Sequence, residues 1–462
     1  MNVENLQFAD APEITSCDFL SGDFEGGATT WPKVRLGDYV NLLAGFPFKS
    51  QQFTDNPNDI ALVKGENVSQ GCILWGISKR WSVSDWEKME KFHLLPGDVV
   101  IAMDRPWIPA GLKWSFIRVG DPKSLLVQRC ARLRSNNSLL DQNFLRFVIG
   151  SPSFENYVKP ITTGVNVPHI SGQQILDFEF TLPPLPVQRR IAGILSAYDE
   201  LIENSQRRIR ILEEMARSLY REWFVNFRFP GHENVPLVPS LFGDIPQEWE
   251  VKPLRLLMVD HIGGGWGKDI ADESHTEPAW VIRGTDIPDA RSSRIAGVPH
   301  RFHTESNLRT RRLQAGDILF EVSGGSKGQP VGRTLLVTPE LLSAFGDESV
   351  ICASFCKRVR PDAVGYGSEI LYLSFLEGYT SGEIEQFQVQ STGISNFKWT
   401  EYISKIERVI PPESLRFRFR ELVVPLFSQI ATIGLQIQNL RRTRDLLLPR
   451  LLGTDFNKRY GE

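Results

Sequence analysis

The sequence has no apolar run that approaches the ~18 residues needed for a membrane-spanning helix. Cysteine is scarce, with five in 462 residues, and an odd, scattered set is typical of free thiols in a reducing compartment. The first ten residues carry acidic but no basic side chains, so we expect no signal peptide. Together these absences predict a cytoplasmic protein without membrane spans or a disulfide framework.

The chain also lacks an excess of positive charge. Lysine and arginine number 52 against 55 aspartate and glutamate residues, and the formal net charge is −3. A role in binding nucleic acid would therefore need local basic patches. Arginine outnumbers lysine by more than two to one, and its planar guanidinium pairs with phosphates and guanine edges. A GC-rich genome would give the same bias.

The usual catalytic motifs are missing. The acidic segment 272–275 resembles a helicase box, but no G-x-x-x-x-G-K-[ST] phosphate loop accompanies it. No glycine fingerprint of a dinucleotide site follows a strand, and Pro183-Pro184 lies between leucines rather than in a methyltransferase loop. Cys352 and Cys356 lack a second pair of zinc ligands at the usual spacing. We therefore expect no catalytic residue, no metal and no cofactor in this chain.

The chain repeats itself after about 220 residues. Six short segments recur in the same order with a nearly constant offset. The matched segments begin at Trp31 and Trp249, Lys64 and Arg283, Leu94 and Leu313, Cys130 and Cys356, Thr163 and Thr392, and Pro183 and Pro411. Little identity lies between them. This pattern predicts a tandem duplication whose two copies share a scaffold and differ in the surface that each presents.

A helical heptad pattern follows the proline pair of each copy. Apolar residues alternate at spacings of four and three, which predicts a helix of about 36 residues, or about 54 Å. The predicted interhelix seam contains Ile191, Leu195, Tyr198, Ile202, Ile209, Leu212, Leu219, Val423, Leu426, Ile430, Ile433, Ile437, Leu440 and Leu447. So narrow a seam needs a partner helix, and the helix of the other copy is the simplest one. The pattern does not decide whether the two helices are parallel or antiparallel. Pro425 predicts a bend or a late start in the second helix, and Arg444 interrupts its seam.

Around these helices each copy has the pattern of a mixed α/β domain. Short apolar runs predict strands, and longer periodic segments predict helices. The predicted strands begin at Val99, Leu125, Ile318 and Ser349, and the predicted helices cover 139–149 and 369–377. Prolines and glycines cluster in 229–247, which predicts a linker between the copies.

Basic residues beside aromatic residues and glycines mark a candidate DNA-binding surface in each copy. Such groups suit phosphate anchoring and contacts with base edges. The candidate DNA-binding residues are Lys64, Lys79, Arg80, Trp81, Arg105, Lys113, Arg283, Arg291, Arg294, Arg301, Arg309, Arg311, Arg312, Lys327 and Arg333. The alternative is a solvated charged face with the tryptophans in the core. The duplication favours DNA binding, because two unlike basic surfaces on one support suit two unlike half-sites.

The segments around the predicted helices carry a family resemblance. Residues 182–195, which contain Gln188, and the ending 444–453 resemble the conserved regions of type I restriction–modification specificity subunits. The resemblance covers nearly the whole chain, as a variable region, a conserved helix, a second variable region and a second conserved helix. The second copy departs from the pattern at Arg416, where the first has Gln188.

The resemblance implies an α/β (α+β) fold. Two mixed α/β target recognition domains would be joined by two long antiparallel coiled-coil helices in a pseudo-two-fold internal repeat. The implied divisions are an N-terminal extension (1–30), target recognition domain 1 (31–184), a central spacer helix (185–228), a linker (229–247), target recognition domain 2 (248–412), a distal spacer helix (413–453) and a C-terminal tail (454–462).

The resemblance also implies a function. Each recognition domain would read one half of a bipartite target in double-stranded DNA, and the helices would fix the gap. The helices would bind two modification subunits, which carry S-adenosylmethionine and methylate adenine, and two motor–nuclease subunits can join. The chain itself would be non-catalytic. A non-catalytic coiled-coil scaffold without base readout is the alternative, and a single-chain enzyme is a third class that the missing motifs disfavour.

Overall fold

The computed structural model describes residues 31–108, 111–162, 168–240, 243–324, 330–362, 365–391 and 394–452. The predicted extension 1–30, the tail 454–462, the Thr-Gly landmarks at Thr163 and Thr392, and the candidate Lys327 lie outside these residues. The chain divides into two compact units: unit 1 is Met1–Ala197 with Thr443–Glu462, and unit 2 is Tyr198–Arg442. Each unit therefore combines one α/β copy with part of both long helices.

Unit 1 contains twelve short strands and three short helices among its described residues. The strands are β1 (Lys33–Arg35), β2 (Val40–Ala44), β3 (Ile60–Val63), β4 (Arg80–Trp81), β5 (His93–Leu94), β6 (Val99–Ala102), β7 (Trp107–Ile108), β8 (Gly111–Leu112), β9 (Trp114–Phe116), β10 (Ser124–Leu126), β11 (Cys130–Ser135) and β12 (Glu179–Thr181). The α-helices are α1 (Gln142–Ile149), α2 (Pro152–Ile161) and α3 (Gly172–Leu176). Single turns of 3₁₀ helix cover Leu36–Asp38, Ser50–Gln52, Trp75–Ile77 and Val83–Asp85, and a longer one covers Glu87–Phe92.

Two four-stranded sheets form the centre of unit 1, in the orders β2-β11-β6-β9 and β4-β3-β10-β5. Strands β3 and β10 are parallel, whereas β1 pairs antiparallel with β12 and so joins the start of the copy to its end. Every residue of β6 is fully buried. This burial explains why the strand reads as an unbroken apolar run rather than as an alternating one.

The first long helix, α4 (Leu185–Tyr220), runs from unit 1 into unit 2 and continues into a π-helical turn, Arg221–Val225. The strands of unit 2 are β13 (Leu237–Ser240), β14 (Gly243–Pro246), β15 (Glu250–Pro253), β16 (Met258–Gly263), β17 (Glu277–Ile282), β18 (His300–His303), β19 (Ile318–Glu321), β20 (Ser323–Gly324), β21 (Thr334–Leu336), β22 (Ser349–Cys352), β23 (Cys356–Pro361), β24 (Gln388–Ser391), β25 (Ile394–Phe397) and β26 (Glu407–Ile410). Its other helices are α5 (Ile287–Ala290), α6 (Glu305–Arg311), α7 (Pro339–Ser343), α8 (Ser368–Thr380), α9 (Trp399–Lys405) and α10 (Glu413–Leu452), with 3₁₀ turns at His232–Asn234, Leu254–Leu257, Gly284–Asp286 and Ile384–Phe387.

The sheets of unit 2 repeat those of unit 1. The order β16-β23-β19-β21 corresponds to β2-β11-β6-β9, and β18-β17-β22 corresponds to β4-β3-β10. The equivalent inner pair, β17 and β22, is again parallel, and β15 pairs antiparallel with β26 as β1 does with β12. The predicted duplication is therefore present in the strand topology, and the predicted mixed α/β fold class is confirmed.

A buried ion pair recurs at the same place in each unit. Arg134 Nη2 donates to Asp98 Oδ2 at 2.7 Å, and Arg360 Nη2 donates to Asp317 Oδ2 at 2.8 Å. Both aspartates are buried, and the glycine before each has a left-handed φ, +92° and +89°. The matched Gly-Asp segments seen in the sequence are thus equivalent turns, in which glycine adopts a φ that other residues rarely adopt.

The linker predicted for 229–247 contains regular structure. Strands β13 and β14 pair antiparallel within it, from Leu237 opposite Pro246 to Ser240 opposite Gly243. Pro239 and Pro246 lie on this two-stranded ribbon, where no interior strand requires their missing N–H groups. The predicted linker therefore includes a short antiparallel ribbon.

The long helices α4 and α10 run antiparallel within unit 2. Tyr220 packs against Phe419 with ring centroids 6.4 Å apart, and Ile209 lines the same cavity as Ile437. Residues later in α4 therefore lie next to residues earlier in α10, as expected for two antiparallel helices. Pro425 lies exposed within α10, which begins at Glu413 and is unbroken by it. The second helix does not start late.

The predicted seam residues belong to three separate cores. Ile202, Ile209, Ile430, Ile433 and Ile437 form a buried cluster with the partly buried Leu212 and Leu440. Within unit 2, Leu219, Val423 and Leu426 join the core of the α/β copy. In unit 1, Ile191, Leu195 and Leu447 join the core of the first copy. Tyr198, the first residue of unit 2, is half-buried and belongs to none of the three cores. A core made by the two helices alone therefore covers only the middle part of the heptad pattern, and the ends of the pattern join the cores of the α/β copies.

Candidate nucleic-acid interface

Loops that are far apart in sequence meet at one edge of unit 1. Backbone bonds join Gly45 N to Cys130 O at 3.0 Å and Met103 N to Arg129 O at 2.7 Å. Arg105 N donates to Pro168 O at 2.6 Å. We call this surface edge 1, and its residues are Lys64, Gly65, Asp104, Arg105, Lys113, Arg129 and His169. It includes three of the candidate DNA-binding residues, Lys64, Arg105 and Lys113.

Asp104 organises the charges of edge 1. Its two carboxylate oxygens accept one bond each, from Arg129 Nη1 and from His169 Nδ1, both at 2.7 Å. The Arg129 side chain is 67% exposed. Arg105 and Arg129 both have positive φ, +44° and +68°, a backbone conformation that costs non-glycine residues about 1–3 kcal/mol. Two arginines are thus held by the fold in strained positions at the surface.

The lysines of edge 1 lie deeper than the arginines. Lys113 Nζ donates to the carbonyl of Gly65, and burial lowers the pKa of its ammonium. Lys64 Nζ pairs with Glu66 at 2.8 Å and keeps about a quarter of its side chain exposed. These two cations contribute positive potential at the edge, and each already has a partner within unit 1.

Edge 2 is the equivalent surface of unit 2. Gly264 N donates to Cys356 O at 3.0 Å, and Val322 N donates to Phe355 O at 2.9 Å. These bonds repeat those of Gly45 and Met103 in unit 1. The residues of edge 2 are Arg283, Gly284, Glu321, Ser323, Arg333, Phe355 and Asn396. The matched landmarks Lys64-Gly65 and Arg283-Gly284 thus occupy the same place in both units.

Arg333 pairs with a carboxylate inside unit 2, which argues against the predicted contact with DNA. Its Nε donates to Glu321 Oε2 at 2.8 Å, and Nη2 binds the other oxygen. Glu321 is buried, and its carboxylate raises the pKa of Arg333. A guanidinium that neutralises a buried carboxylate cannot leave it without a large electrostatic cost.

Trp81 and Arg291 also have partners within the protein, which argues against their predicted contacts with DNA. Trp81 is 6% exposed, packs on Phe48, and donates its Nε1 to Asp85 at 3.0 Å. Arg291 donates through Nε and Nη2 to the carbonyl of Thr334, at 3.0 and 2.8 Å. The Trp81 indole N–H and two nitrogens of Arg291 therefore already have partners within the protein.

The basic stretch 291–312 does not form one surface. Arg294 pairs with Asp289, and the neighbouring Ser293 accepts a bond from Gln438 of α10. The start of the stretch therefore packs against the long helix. Arg301 pairs with Asp269 and lies over the Trp266 ring, 4.3 Å from its centroid, with 12% of its side chain exposed.

The remaining candidates lie on the surface in several places. Arg309 and Arg312 are exposed on and just after α6, whereas Arg311 Nε donates to Gly263 O at 3.0 Å. Lys79 is exposed near Asp55, and Arg80 Nη1 donates to Asp59 O at 2.8 Å. Arg283 is partly exposed while it binds both oxygens of Asp286.

Sequence reasoning missed Asp104, Arg129, His169, Phe355 and Asn396. Their importance comes from contacts between segments that lie far apart in the chain. One signal was available, because Arg129 and Phe355 each precede a cysteine of the matched pair Cys130 and Cys356. Residues that differ next to a repeated landmark are candidates for the variable function of a shared scaffold.

Among the described residues, no group of three or more histidine, cysteine or acidic side chains is arranged to hold a metal ion. Cys352 and Cys356 are buried, and burial raises the pKa of the Cys352 thiol to about 12. Burial likewise raises the pKa of the Cys356 thiol. No helix in the described part of the chain combines the length and apolarity needed to cross a membrane.

Gln188 explains why the segment after the first proline pair has a distinctive sequence. Its side chain is fully buried in unit 1, where Oε1 accepts from Asp141 N at 2.8 Å. Its Nε2 donates to Leu139 O and to Pro183 O, both at 2.8 Å. One amide therefore ties the first turn of α4 to the loop before α1.

Residues 29–214 match the family model described as the type I restriction modification DNA specificity domain. This part of the chain is similar to that family. The match supports the resemblance to specificity subunits seen in the sequence, and Gln188 lies within the matched residues.

Similar proteins include specificity subunits of type I restriction enzymes. The MjaIX subunit of Methanocaldococcus jannaschii is 27% identical over 320 residues, which cover 67% of this chain and 68% of the relative. The EcoAI subunit of Escherichia coli is 34% identical over 173 residues, 37% of this chain and 28% of the relative. The HindI subunit of Haemophilus influenzae is 20% identical over 475 residues, 92% of this chain and 99% of the relative.

A solved structure has the same fold. The S subunit of a type I restriction–modification system from M. genitalium aligns with a TM-score of 0.54 at 14% identity. The alignment covers 92% of this chain and 96% of that one. At this identity the likeness concerns the fold, two α/β copies with long helices, and it includes the second copy, which the family model does not reach.

Proposed function

We propose that the two units each read one half of a bipartite DNA target within a type I restriction–modification complex. The observation that carries this proposal is the repeat itself. Both units build the same sheets and the same edge from equivalent backbone bonds, yet the side chains at the two edges differ. A shared scaffold with different surface groups suits two unlike sequences.

The antiparallel part of α4 and α10 would set the gap between the half-sites. Its support is the buried isoleucine cluster within unit 2, including Ile202, Ile209 and Ile437. Interlocked branched side chains resist sliding along the helix axis, because a shift would open cavities. A fixed spacer predicts a target with a constant number of unread base pairs.

The outer faces of the long helices would bind two modification subunits. Residues 422–440 of α10 contain no charged side chain, and Leu422 and Val424 are exposed there. On α4, Ile211 and Met215 are exposed as well. Depletion of charge with exposed aliphatic side chains is typical of protein interfaces.

In this proposal the chain is not an enzyme. S-adenosylmethionine and the methyl transfer to adenine would belong to the modification subunits, and DNA cleavage to motor–nuclease subunits where they join. The buried thiols of Cys352 and Cys356 and the paired Arg333 and Glu321 support a structural role for these groups.

The decisive experiment is a base-modification map of genomic DNA from a host that carries the modification partner, with and without this gene. We expect a bipartite adenine-methylation motif with a fixed gap that disappears with the gene. An unchanged map, with the partner verified as expressed, would contradict the proposal. Binding of the purified complex to DNA would then distinguish a scaffold without base readout from a system without activity.

A further inference from the structure

The same surface turn carries Arg129 in unit 1 and Phe355 in unit 2. In unit 1, Met103 N donates to Arg129 O at 2.7 Å, and Cys130 N donates to Val127 O at 3.2 Å. In unit 2, Val322 N donates to Phe355 O at 2.9 Å, and Cys356 N donates to Ala353 O at 2.9 Å. The two residues therefore occupy one position of a shared turn, between β10 and β11 or between β22 and β23.

Each turn is fixed by a glycine that passes close to it. Gly45 in unit 1 and Gly264 in unit 2 lie so near the strand before the turn that a Cβ would overlap the carbonyl of Val127 or of Cys352. A substitution at either glycine would have to displace backbone. The fold therefore positions Arg129 and Phe355 with little freedom, which is what a contact with a base edge requires.

The two side chains are exposed and chemically unlike. Arg129 is 67% exposed and uses Nη1 to bind Asp104, so the carboxylate orients a guanidinium that still faces solvent. Phe355 is 59% exposed and lies beside Ser323, whose N–H donates to Phe355 O at 3.2 Å. A single exposed phenylalanine is ordinary on a protein surface. Its equivalence to Arg129 is the feature that needs an explanation.

We propose that this turn position determines base preference in both units, with Arg129 reading a guanine and Phe355 contacting the methyl group of a thymine. The inference rests on the proposed function and names the residues that would carry it. Arginine pairs with the O6 and N7 acceptors of guanine in the major groove, and phenylalanine packs against the thymine methyl. Arg129 is oriented for the first task by Asp104, and Phe355 presents an apolar surface for the second.

The test uses the chain assembled with its modification subunits and the target found from the modification map. Binding is measured on the target and on duplexes in which single guanines are replaced by 7-deazaguanine, or single thymines by uracil. The first change removes the N7 acceptor, and the second removes the methyl group. The variants are Arg129→Ala, Arg129→Lys and Phe355→Ala. The controls are Arg35→Ala, an exposed arginine that is likewise paired with an aspartate, and Leu256→Ala, an exposed aliphatic residue of unit 2.

We expect one guanine whose replacement weakens wild-type binding roughly 5- to 150-fold, the range for a good base contact. Arg129→Ala should be insensitive to that replacement. Arg129→Lys should respond less than the wild type, because an ammonium lacks the planar pair of donors. Phe355→Ala should be insensitive to the uracil replacement at one thymine of the other half-site. Both control variants should behave like the wild type.

The inference is overturned if the Arg129 and Phe355 variants respond to every replaced base as the wild type does. A wild-type complex that prefers no bipartite target would instead contradict the proposed function. Because both side chains are exposed, the variants should unfold at the wild-type urea concentration. If Arg129→Ala does not fold, Arg129→Lys still tests the guanine contact.

Discussion

Gln188 donates its side-chain Nε2 to the carbonyl of Pro183, five residues earlier, at 2.8 Å. The same nitrogen also donates to Leu139 O, and the side-chain oxygen accepts from Asp141 N. A buried amide with all these bonds made fixes the direction in which α4 leaves the first α/β copy. The equivalent residue of the second copy, Arg416, has a buried Nε with no partner among the described residues.

Replacing Gln188 with alanine should destabilise unit 1. The change leaves buried backbone groups of Pro183, Leu139 and Asp141 without this partner, and each unsatisfied group costs about 1–3 kcal/mol. We expect a lower urea midpoint, with a loss of at least about 2 kcal/mol in the free energy of unfolding. Gln173→Ala is the control, because the Gln173 amide donates to Asp177 at the surface. Equal midpoints for both variants would contradict this role of Gln188.

Ile209→Asp should disrupt the packing of α4 on α10. Ile209 is buried in the isoleucine cluster, and an unpaired carboxylate there would be removed from water at a cost of several kcal/mol. We expect a large fall in the urea midpoint of the chain and loss of methylation at the full bipartite site. Normal methylation by a complex with this variant would argue against a spacer that depends on this seam.

Ile211→Asp, two residues further along α4, should behave differently. Ile211 is 54% exposed, so the new carboxylate remains hydrated and the free energy of unfolding should change by no more than about 0.5 kcal/mol. If the outer face of α4 binds a modification subunit, this variant should lose affinity for it in a titration with purified subunits. Affinity equal to that of the wild type would place the partner on another surface.

Arg309 and Arg312 should contribute to DNA binding through phosphate contacts. Both are exposed at the end of α6, and each phosphate contact adds about 0.9 to the slope of log affinity against log salt concentration. We expect Arg309→Gln with Arg312→Gln to lower that slope by up to about 2 without changing the preferred sequence. Arg35→Gln serves as the control for a change of charge. An unaltered slope would exclude this part of unit 2 from the DNA surface.

The stability of unit 2 should decrease when the pH falls below about 6.5. Burial, followed by the charges of His275, Arg301 and Arg311, lowers the pKa of His303 from its ordinary value of 6.5. Since its pKa is lower in the folded state, the unfolded chain binds the proton first, so stability is lost as pH falls from 6.5 through the folded-state pKa. Urea midpoints between pH 7.5 and about 5 would measure this loss. His303→Gln should reduce the change of the urea midpoint with pH. An unchanged pH dependence would contradict the assignment of this loss of stability to His303.

The helices and the repeat were predictable because they follow from local periodicity. The predicted helix lengths and the strands at Val99 and Ile318 rest on patterns within a few residues, and the structure confirms them. The antiparallel direction of α4 and α10 was not predictable from the seam. A heptad pattern is satisfied by either direction, whereas contacts such as that between Tyr220 and Phe419 exist only in the folded chain.

The candidate site was less predictable, because charge in a sequence does not reveal its partner. Arg333 and Arg291 read as free cations, but a buried carboxylate and a backbone carbonyl bind them. Trp81 read as an aromatic neighbour of Arg80 and is a core residue. Arg129 and Phe355 each precede a matched cysteine in the sequence, but only the backbone hydrogen bonds show that the two residues share a turn. Loops that lie more than twenty residues apart in the chain and meet only in the fold produce no periodic pattern in the sequence.

The composition of unit 1 has a consequence for the order of events on the ribosome. Its core includes Leu447, Leu448, Leu451 and Leu452, which pack with residues such as Ile191 and Leu195. These leucines are synthesised after the whole of unit 2. The copy that is translated first therefore cannot complete its core until α10 has emerged. Unit 2 is formed from the uninterrupted segment Tyr198–Arg442. It is therefore the first unit that can complete its fold.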